Sequence, residues 1–181
     1  MDYIGVVLGA WMNDSRGVDM LFQKAKLFWH MQNGERQICY IPFDDNCEYY
    51  DFLRKYHDKG YKQIIITSEF MSDLMRVFCQ EQNLSVYEID LMEDDEDLDA
   101  ELKNILQQME SDRIYFERLL SEIKFLSEQS SIDINRIYFK GRYNGVAVRF
   151  FIQANGIIGV VPNFFNKVAG RIKAYLSEEL F

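Results

Sequence analysis

Two Asn-Gly dipeptides in the C-terminal third constrain the fold of this chain more than any other feature. Asn144-Gly145 and Asn155-Gly156 separate runs rich in β-branched and aromatic residues. An Asn-Gly pair favours a two-residue hairpin turn, because both residues tolerate a positive φ. The sequence therefore predicts an antiparallel meander of three strands followed by a helix. The strands span about 136–143, 146–154 and 157–161.

The first of these turns also determines which side chains share a face of the meander. With Tyr143 opposite Val146, the following pairs put a nearly continuous apolar set on one face, which we expect to cover the core. Lys140 lies opposite Arg149 on the other face, and like charges in that position destabilise a sheet by up to about 1 kcal/mol. We name this second surface the basic-aromatic face. It consists of Arg136, Tyr138, Lys140, Arg142, Arg149 and Phe151.

Charge is distributed unevenly along the chain. The 181 residues include 20 Lys and Arg and 29 Asp and Glu, which gives a net charge of −9. Residues 134–177 contain seven of the bases and no acid, whereas residues 88–101 contain nine acids and no base. A net acidic protein binds polyanions poorly, so a nucleic-acid contact would have to be local. The acidic run itself is typical of a solvated linker or a helix start.

The basic-aromatic face has the composition of a surface for single-stranded nucleic acid, where bases stack on rings and phosphates meet cations. It predicts a non-enzymatic binding protein that contacts a polyanion, such as single-stranded nucleic acid, or an acidic protein partner. A half-buried structural face is the alternative. The second turn is expected to add Ile158 and Val160 to the same face, and these apolar residues need cover.

Upstream of the meander, apolar runs alternate with amphipathic helical patterns. This alternation predicts right-handed βαβ units and a mostly parallel sheet. The apolar runs lie at 3–8, 37–42, 63–67 and 84–89, and the helical patterns at about 18–29, 49–56 and 68–78. The first helical pattern consists of Val18, Leu21, Phe22, Ala25, Phe28 and Trp29.

The predicted fold class is α/β, in three segments. Residues 1–91 form a Rossmann-like (flavodoxin-like) mostly parallel sheet with flanking helices. Residues 92–130 form an acidic linker and a long connecting helix, and residues 131–181 form the antiparallel meander and its closing helix. The apolar residues of 98–129 recur at three-four spacing, with Asp112 at the one polar position, and the helix could break near Ser111. This helix could form a homodimer seam or pack on its own domain.

A parallel sheet also predicts where a ligand would bind, which is beyond the C-terminal ends of its strands. Carboxylates at those ends could hold a small ligand or Mg²⁺, which makes a small-molecule or Mg-dependent enzyme an alternative function. Capping of the following helices explains the same residues. The residues at these positions are Asp14, Ser15, Asp44, Asp45, Ser68 and Glu69.

Motifs for other chemistry are missing from the sequence. It has no dinucleotide fingerprint and no P-loop, and the meander hairpin lacks the carboxylates of a metal-dependent nuclease. The leading prediction is therefore a protein without catalysis. Catalytic residues are unknown and no cofactor is evident, with Mg²⁺ belonging to the enzyme alternative. The three cysteines are not spaced as zinc ligands and are typical of free thiols. No run is apolar enough to cross a membrane, so the prediction is a cytoplasmic protein without membrane contact.

Overall fold

A computed structural model describes residues 22–81, 84–109, 112 and 114–180 of the chain. The strands are β1 (Gln23–Gln32), β2 (Glu35–Pro42), β3 (Lys62–Gln63), β4 (Ser85–Leu91), β5 (Ile134–Tyr143), β6 (Val146–Gln153) and β7 (Ile157–Val160). The α-helices are α1 (Tyr49–His57), α2 (Ser68–Arg76), α3 (Glu96–Met109), α4 (Ile114–Phe125) and α5 (Phe165–Leu180). Single π-helical turns extend α2 and α4, at Val77–Glu81 and Leu126–Ser130.

The described strands form one sheet in the order β2-β1-β7-β6-β5-β4, with β3 paired to β1 off this path. Every pair is antiparallel. The predicted parallel, Rossmann-like (flavodoxin-like) α/β sheet is therefore wrong. The division at residues 91 and 130 stays a prediction, although strands from both sides of it share this sheet.

The error begins at β1, which occupies most of the predicted first helix. A third Asn-Gly pair, Asn33-Gly34, has φ values of 53° and 84° and returns the chain directly into β2. Leu27 and Phe28 are both buried although they point to opposite faces. Burial on both faces removes the polar alternation of a strand and leaves an apolar run that also fits a helix. The predicted strand at 3–8 lies outside the described residues.

The meander confirms the first turn and corrects the second. Asn144 and Gly145 have φ values of 49° and 81°, and the eight cross-strand pairs from Tyr143–Val146 to Arg136–Gln153 are those predicted. In the second turn only Gly156 has a positive φ, 76°, and its N–H donates to the carbonyl of Gln153. A loop of this kind holds three residues and shifts the register by one.

That shift changes the face on which the apolar residues of β7 lie. Ile158 pairs with Ile152 and Val160 with Phe150, so both belong to the core face. Their predicted place on the basic-aromatic face is wrong. Gly159 lies opposite Phe151 on that face instead.

The core lies between the apolar face of the sheet and helices α2 to α5. Phe139 and Phe150 stack with their ring centroids 4.6 Å apart, and Phe78 from the turn after α2 lies 4.8 Å from Phe150. The predicted helix over 98–129 is two helices, since α3 ends at Met109 and α4 begins at Ile114. At the start of α4 the Asp112 carboxylate accepts from the Ile114 N–H at 3.0 Å. Its apolar residues are buried in this core, as in the intramolecular alternative. They include Leu102, Ile105, Phe116, Leu119, Ile123 and Leu126.

Candidate anion-binding surface

The basic-aromatic face is formed as predicted by alternate residues of β5 and β6. Arg136, Tyr138, Lys140 and Arg142 lie opposite Gln153, Phe151, Arg149 and Ala147 respectively. Helices α2 to α5 pack against the other side of the sheet. The six predicted residues therefore share one surface, away from the main core.

The six residues differ in exposure. Arg142 is exposed, and Arg136, Tyr138, Lys140 and Arg149 are half-buried. Phe151 is only 1% exposed, because the ring of Phe22 packs edge-on against it at 5.3 Å. In this structure Phe151 is the floor of the surface and offers no free ring face to a base.

Arg136 is held in place by its neighbours on this floor. Its guanidinium lies 4.7 Å from the ring centroid of Phe151, donates to the Tyr138 hydroxyl at 2.8 Å and reaches the Gln153 side-chain oxygen at 3.4 Å. Contact with an aromatic face stabilises a cation by about 0.5–1 kcal/mol at accessible sites. These contacts fix the direction in which the arginine presents its charge.

The ring of Tyr87 lies beside both Lys140 and Arg149. The two cationic groups lie 5.7 and 5.9 Å from the centroid of the Tyr87 ring. Tyr87 belongs to β4, at a register shift between Val86 and Glu88 that adds one residue to the strand. Bulges of this kind redirect side chains. No local pattern in the sequence indicates the bulge, so sequence reasoning missed this residue.

Acidic residues border the face along β4. Glu88 lies opposite Tyr138 and Asp90 opposite Arg136, and opposite charges across two strands are favourable. The pKa of Glu88 is raised by partial burial of its carboxyl and then by Asp90, although much of the side chain is exposed, and Lys103 and Arg136 act the other way. Further along, the Asp95 carboxylate accepts from the N–H groups of Asp97 and Leu98, which confirms that the acidic run starts a helix.

The alternative strand-end site falls into two separate groups in this structure. Asp45 forms an ion pair with Lys24 at 2.7 Å and Asp44 accepts from Asn46, whereas Ser68 donates to Asp133 at 2.6 Å and Glu69 is exposed. No hydrogen bond or ion pair among the described residues joins the groups. Neighbouring strands of an antiparallel sheet end at opposite edges, so the geometry that would collect these carboxylates is missing. The remaining two residues, Asp14 and Ser15, lie outside the described part of the chain.

Ser68 and Glu69 line a cleft of about 330 Å³ between α2 and α4. The Ser68 hydroxyl is buried, donates to Asp133 and accepts from the Ile134 N–H at 3.0 Å. Ser127 donates to the same Asp133 oxygen at 3.0 Å. Ser68 therefore joins α2 to the start of β5.

This role predicts that Ser68→Ala lowers the free energy of unfolding by about 2 kcal/mol, because the buried Ile134 N–H loses its acceptor. Urea denaturation followed by circular dichroism measures the change. Ser72→Ala is the matched control on the same helix, since the Ser72 hydroxyl donates back to the Ser68 carbonyl within the helix. We expect it to cost less than about 0.5 kcal/mol. Equal losses in the two variants would contradict the proposed bond network.

Lys26 is a buried cation that sequence reasoning missed. Its side chain is 0% exposed, and Nζ donates to the carbonyls of Ile64 at 2.9 Å and Leu27 at 3.2 Å. Burial lowers the pKa of Lys26 to about 7. Within the described residues no carboxylate forms an ion pair with it. The signal in the sequence is that Lys26 interrupts the otherwise apolar residues 25–29 of β1.

Comparison with known proteins assigns no relative to this chain. No protein-family model matches it, and no curated protein or solved structure gives a significant match. Among the described residues there is no group of three or more His, Cys, Asp or Glu that could hold a metal ion. None of the described helices combines the length and apolar character needed to cross a bilayer.

Proposed function

We propose that this protein is a non-enzymatic binding protein whose basic-aromatic face contacts single-stranded nucleic acid. The observation that supports the proposal most is the set of four cations on adjacent strands, Arg136, Lys140, Arg142 and Arg149, with no acid between them on β5 or β6. A sheet does not gain stability from placing Lys140 opposite Arg149. A bound polyanion would gain from both charges.

The spacing of these cations suits an extended anionic chain. Alternate residues of a strand lie roughly 6.7 Å apart on one face, so Arg136, Lys140 and Arg142 form a row of positive charge along β5. Arg149 adds a second row on β6. The half-buried rings of Tyr87 and Tyr138 lie beside these rows, with their centroids 5.8 Å apart. A cationic groove with neighbouring rings is the arrangement that single-strand binding proteins use.

An acidic protein segment would use the same cations without using the rings, and the test below separates the two ligands. In this proposal the protein works without a cofactor and in the cytoplasm. The three cysteines support that location, because Cys39, Cys47 and Cys79 are free thiols in the structure. Free thiols persist in reducing compartments.

We expect Lys140→Glu to weaken binding of a fluorescein-labelled 20-nucleotide oligodeoxythymidine by about 10-fold at low salt, measured by fluorescence anisotropy. The dependence of log K on log salt should also become shallower by about one counterion. The matched control is Lys124→Glu on α4. Lys124 is exposed, and its substitution makes the same change of charge on the opposite side of the sheet.

The control should bind within about 2-fold of wild type. Equal weakening by both variants would show a response to net charge alone, and absence of binding by the wild type would reject the proposal. Unlabelled oligodeoxythymidine and polyglutamate are compared as competitors at equal charge concentration. Displacement by polyglutamate at least as effective as by the oligonucleotide would favour the acidic protein partner.

A further inference from the structure

A second site with basic and aromatic residues lies where α1 packs on the sheet. It is a cleft of about 450 Å³ between α1, β3 and β1. Helix α1 contributes Leu53, Arg54 and His57 to its lining. Strand β3 contributes Lys62, the residue before β3 is Tyr61, and β1 contributes Phe28. Its volume falls in the range of sites that take small organic molecules.

The turn after α1 brings these residues together. Gly60 has a φ of 86°, and its N–H donates to the His57 carbonyl at 2.8 Å while the Tyr61 N–H donates to the Tyr56 carbonyl. This left-handed turn reverses the chain, so that Lys62 pairs with Trp29 at the sheet edge. The cation of β3 therefore lies beside those at the end of α1.

The charge lining the cleft is uniformly positive. Arg54 and Lys62 supply two cationic side chains, and none of the described residues that line the cleft is acidic. His57 adds an imidazole, whose Nδ1 lies 3.9 Å from the Asp58 carboxylate. The nearest pairing of Arg54 is with Asp51 at 3.8 Å, between side chains that are 75% and 74% exposed. Such an exposed pair contributes little, so it leaves the guanidinium available to a second anion.

The inner wall of the cleft is formed by the half-buried ring of Tyr61, and the buried ring of Phe28 supports it from behind. The ring centroid of Tyr61 lies 6.1 Å from that of Phe28 and 4.9 Å from the ring of His30, which holds the tyrosine ring in one orientation. Leu53 adds an aliphatic side chain to this wall. A planar ring can pack here by stacking and burial, while charged groups remain at the cationic rim.

We propose that this cleft binds a nucleoside monophosphate, with the base against the half-buried ring of Tyr61 and the side chain of Leu53, and the phosphate between Arg54 and Lys62. The site is separate from the basic-aromatic face, and it does not depend on nucleic-acid binding there. The phosphate requires the two cations, and the base requires the aromatic wall. Both parts of the ligand are therefore needed for full affinity.

The experiment titrates the full chain into a fluorescent N-methylanthraniloyl derivative of AMP and follows anisotropy, with unlabelled AMP as competitor. Wild type should bind the probe, and AMP should displace it. Arg54→Glu and Lys62→Glu should each weaken binding about 10-fold or more. Lys55→Glu is the matched control, because Lys55 is the next residue of the same helix, is exposed and does not line the cleft. It should bind within 2-fold of wild type.

Adenosine and inorganic phosphate, tested as competitors, should each act at least 10-fold more weakly than AMP. Absence of displacement by AMP, equal weakening by Lys55→Glu, or displacement by phosphate alone as effective as by AMP would each overturn the proposal. If a 5′-phosphorylated oligodeoxythymidine competes better than AMP, the ligand is the end of a nucleic-acid strand, and the proposal of a free nucleotide is overturned. Lys140→Glu should leave probe binding unchanged, so failure of the nucleic-acid proposal and failure of this one are distinguishable.

Discussion

Between pH 7 and pH 9.5, the wild-type protein should gain about 3 kcal/mol of stability relative to a Lys26→Met variant. The pKa of Lys26 is lowered from 10.5 to about 7 in the folded protein. Between these values the unfolded chain binds a proton that the folded chain does not, so stability rises with pH. The destabilising contribution of Lys26 is largest below pH 7 and disappears above the unfolded pKa.

The physical cause is the removal of the ammonium group from water, with no ion pair to a carboxylate among the described residues. Two backbone carbonyls accept from Nζ, and the ring of Phe28 lies 5.3 Å away. These contacts offset part of the desolvation of the charge and leave a lowered pKa. Methionine has a similar length and no charge, so Lys26→Met removes the titration. It also leaves the Ile64 carbonyl without this donor, which adds a constant cost that does not vary with pH.

Urea denaturation at pH 7, 8, 9 and 9.5 tests this expectation, with Lys62→Met as the exposed control. The difference in the free energy of unfolding between wild type and Lys62→Met should be nearly constant over the pH series. The pKa of Tyr175 is raised to about 12 by burial and by nearby acids, led by Asp73. A raised tyrosine pKa contributes stability that is lost between pH 10 and 12, so the series stops below that window. Parallel stability curves for wild type and Lys26→Met would contradict a buried, titrating Lys26.

The sequence predicted the structure best where the interactions are local. Asn144-Gly145 determines the register of β5 and β6, because a two-residue turn leaves no freedom in the pairs that follow. The same argument brought the six residues of the basic-aromatic face together. It failed one hairpin later, because Asn155-Gly156 is equally compatible with a three-residue loop, and only the folded chain selects between the two.

The pairing of distant segments could not be predicted in this way. β1 lies between β2 and β7, so the first and last described strands are neighbours in the sheet. No local pattern encodes that contact, and the burial of both faces of β1 made its sequence resemble a helix. Tyr87 and the α1 cleft depend on the same long-range arrangement. They became visible only when the order of the strands was known.

Gly159→Ala should lower the free energy of unfolding by about 3 kcal/mol, near the upper end of the usual cost of overpacking a core. Gly159 pairs with Phe151 on one side and Lys24 on the other. A methyl group at Gly159 would overlap the ring carbons of Phe151. That ring cannot move away freely, because Phe22 covers it and the backbone of β7 lies beneath it.

Gly170→Ala in α5 is the matched control for this substitution. A methyl group there meets no atom within 4 Å, and alanine is the better helix former, so we expect a gain of about 0.5–1 kcal/mol. Both variants are compared with wild type by urea denaturation and thermal unfolding. Opposite signs for the same chemical change would show that the close approach of the ring, and not the loss of glycine itself, determines the cost.

A double-mutant cycle with Phe151→Leu identifies the ring as the cause. If the overlap with the ring accounts for the loss, Gly159→Ala should cost less than about 1 kcal/mol in the Phe151→Leu background, a coupling of about 2 kcal/mol. The same cost in both backgrounds would place the strain elsewhere in β7. Because Arg136 rests on the Phe151 ring at 4.7 Å, a displaced ring should also disturb this cation. Gly159→Ala should then weaken oligonucleotide binding under conditions where it is still folded, whereas Gly170→Ala should not.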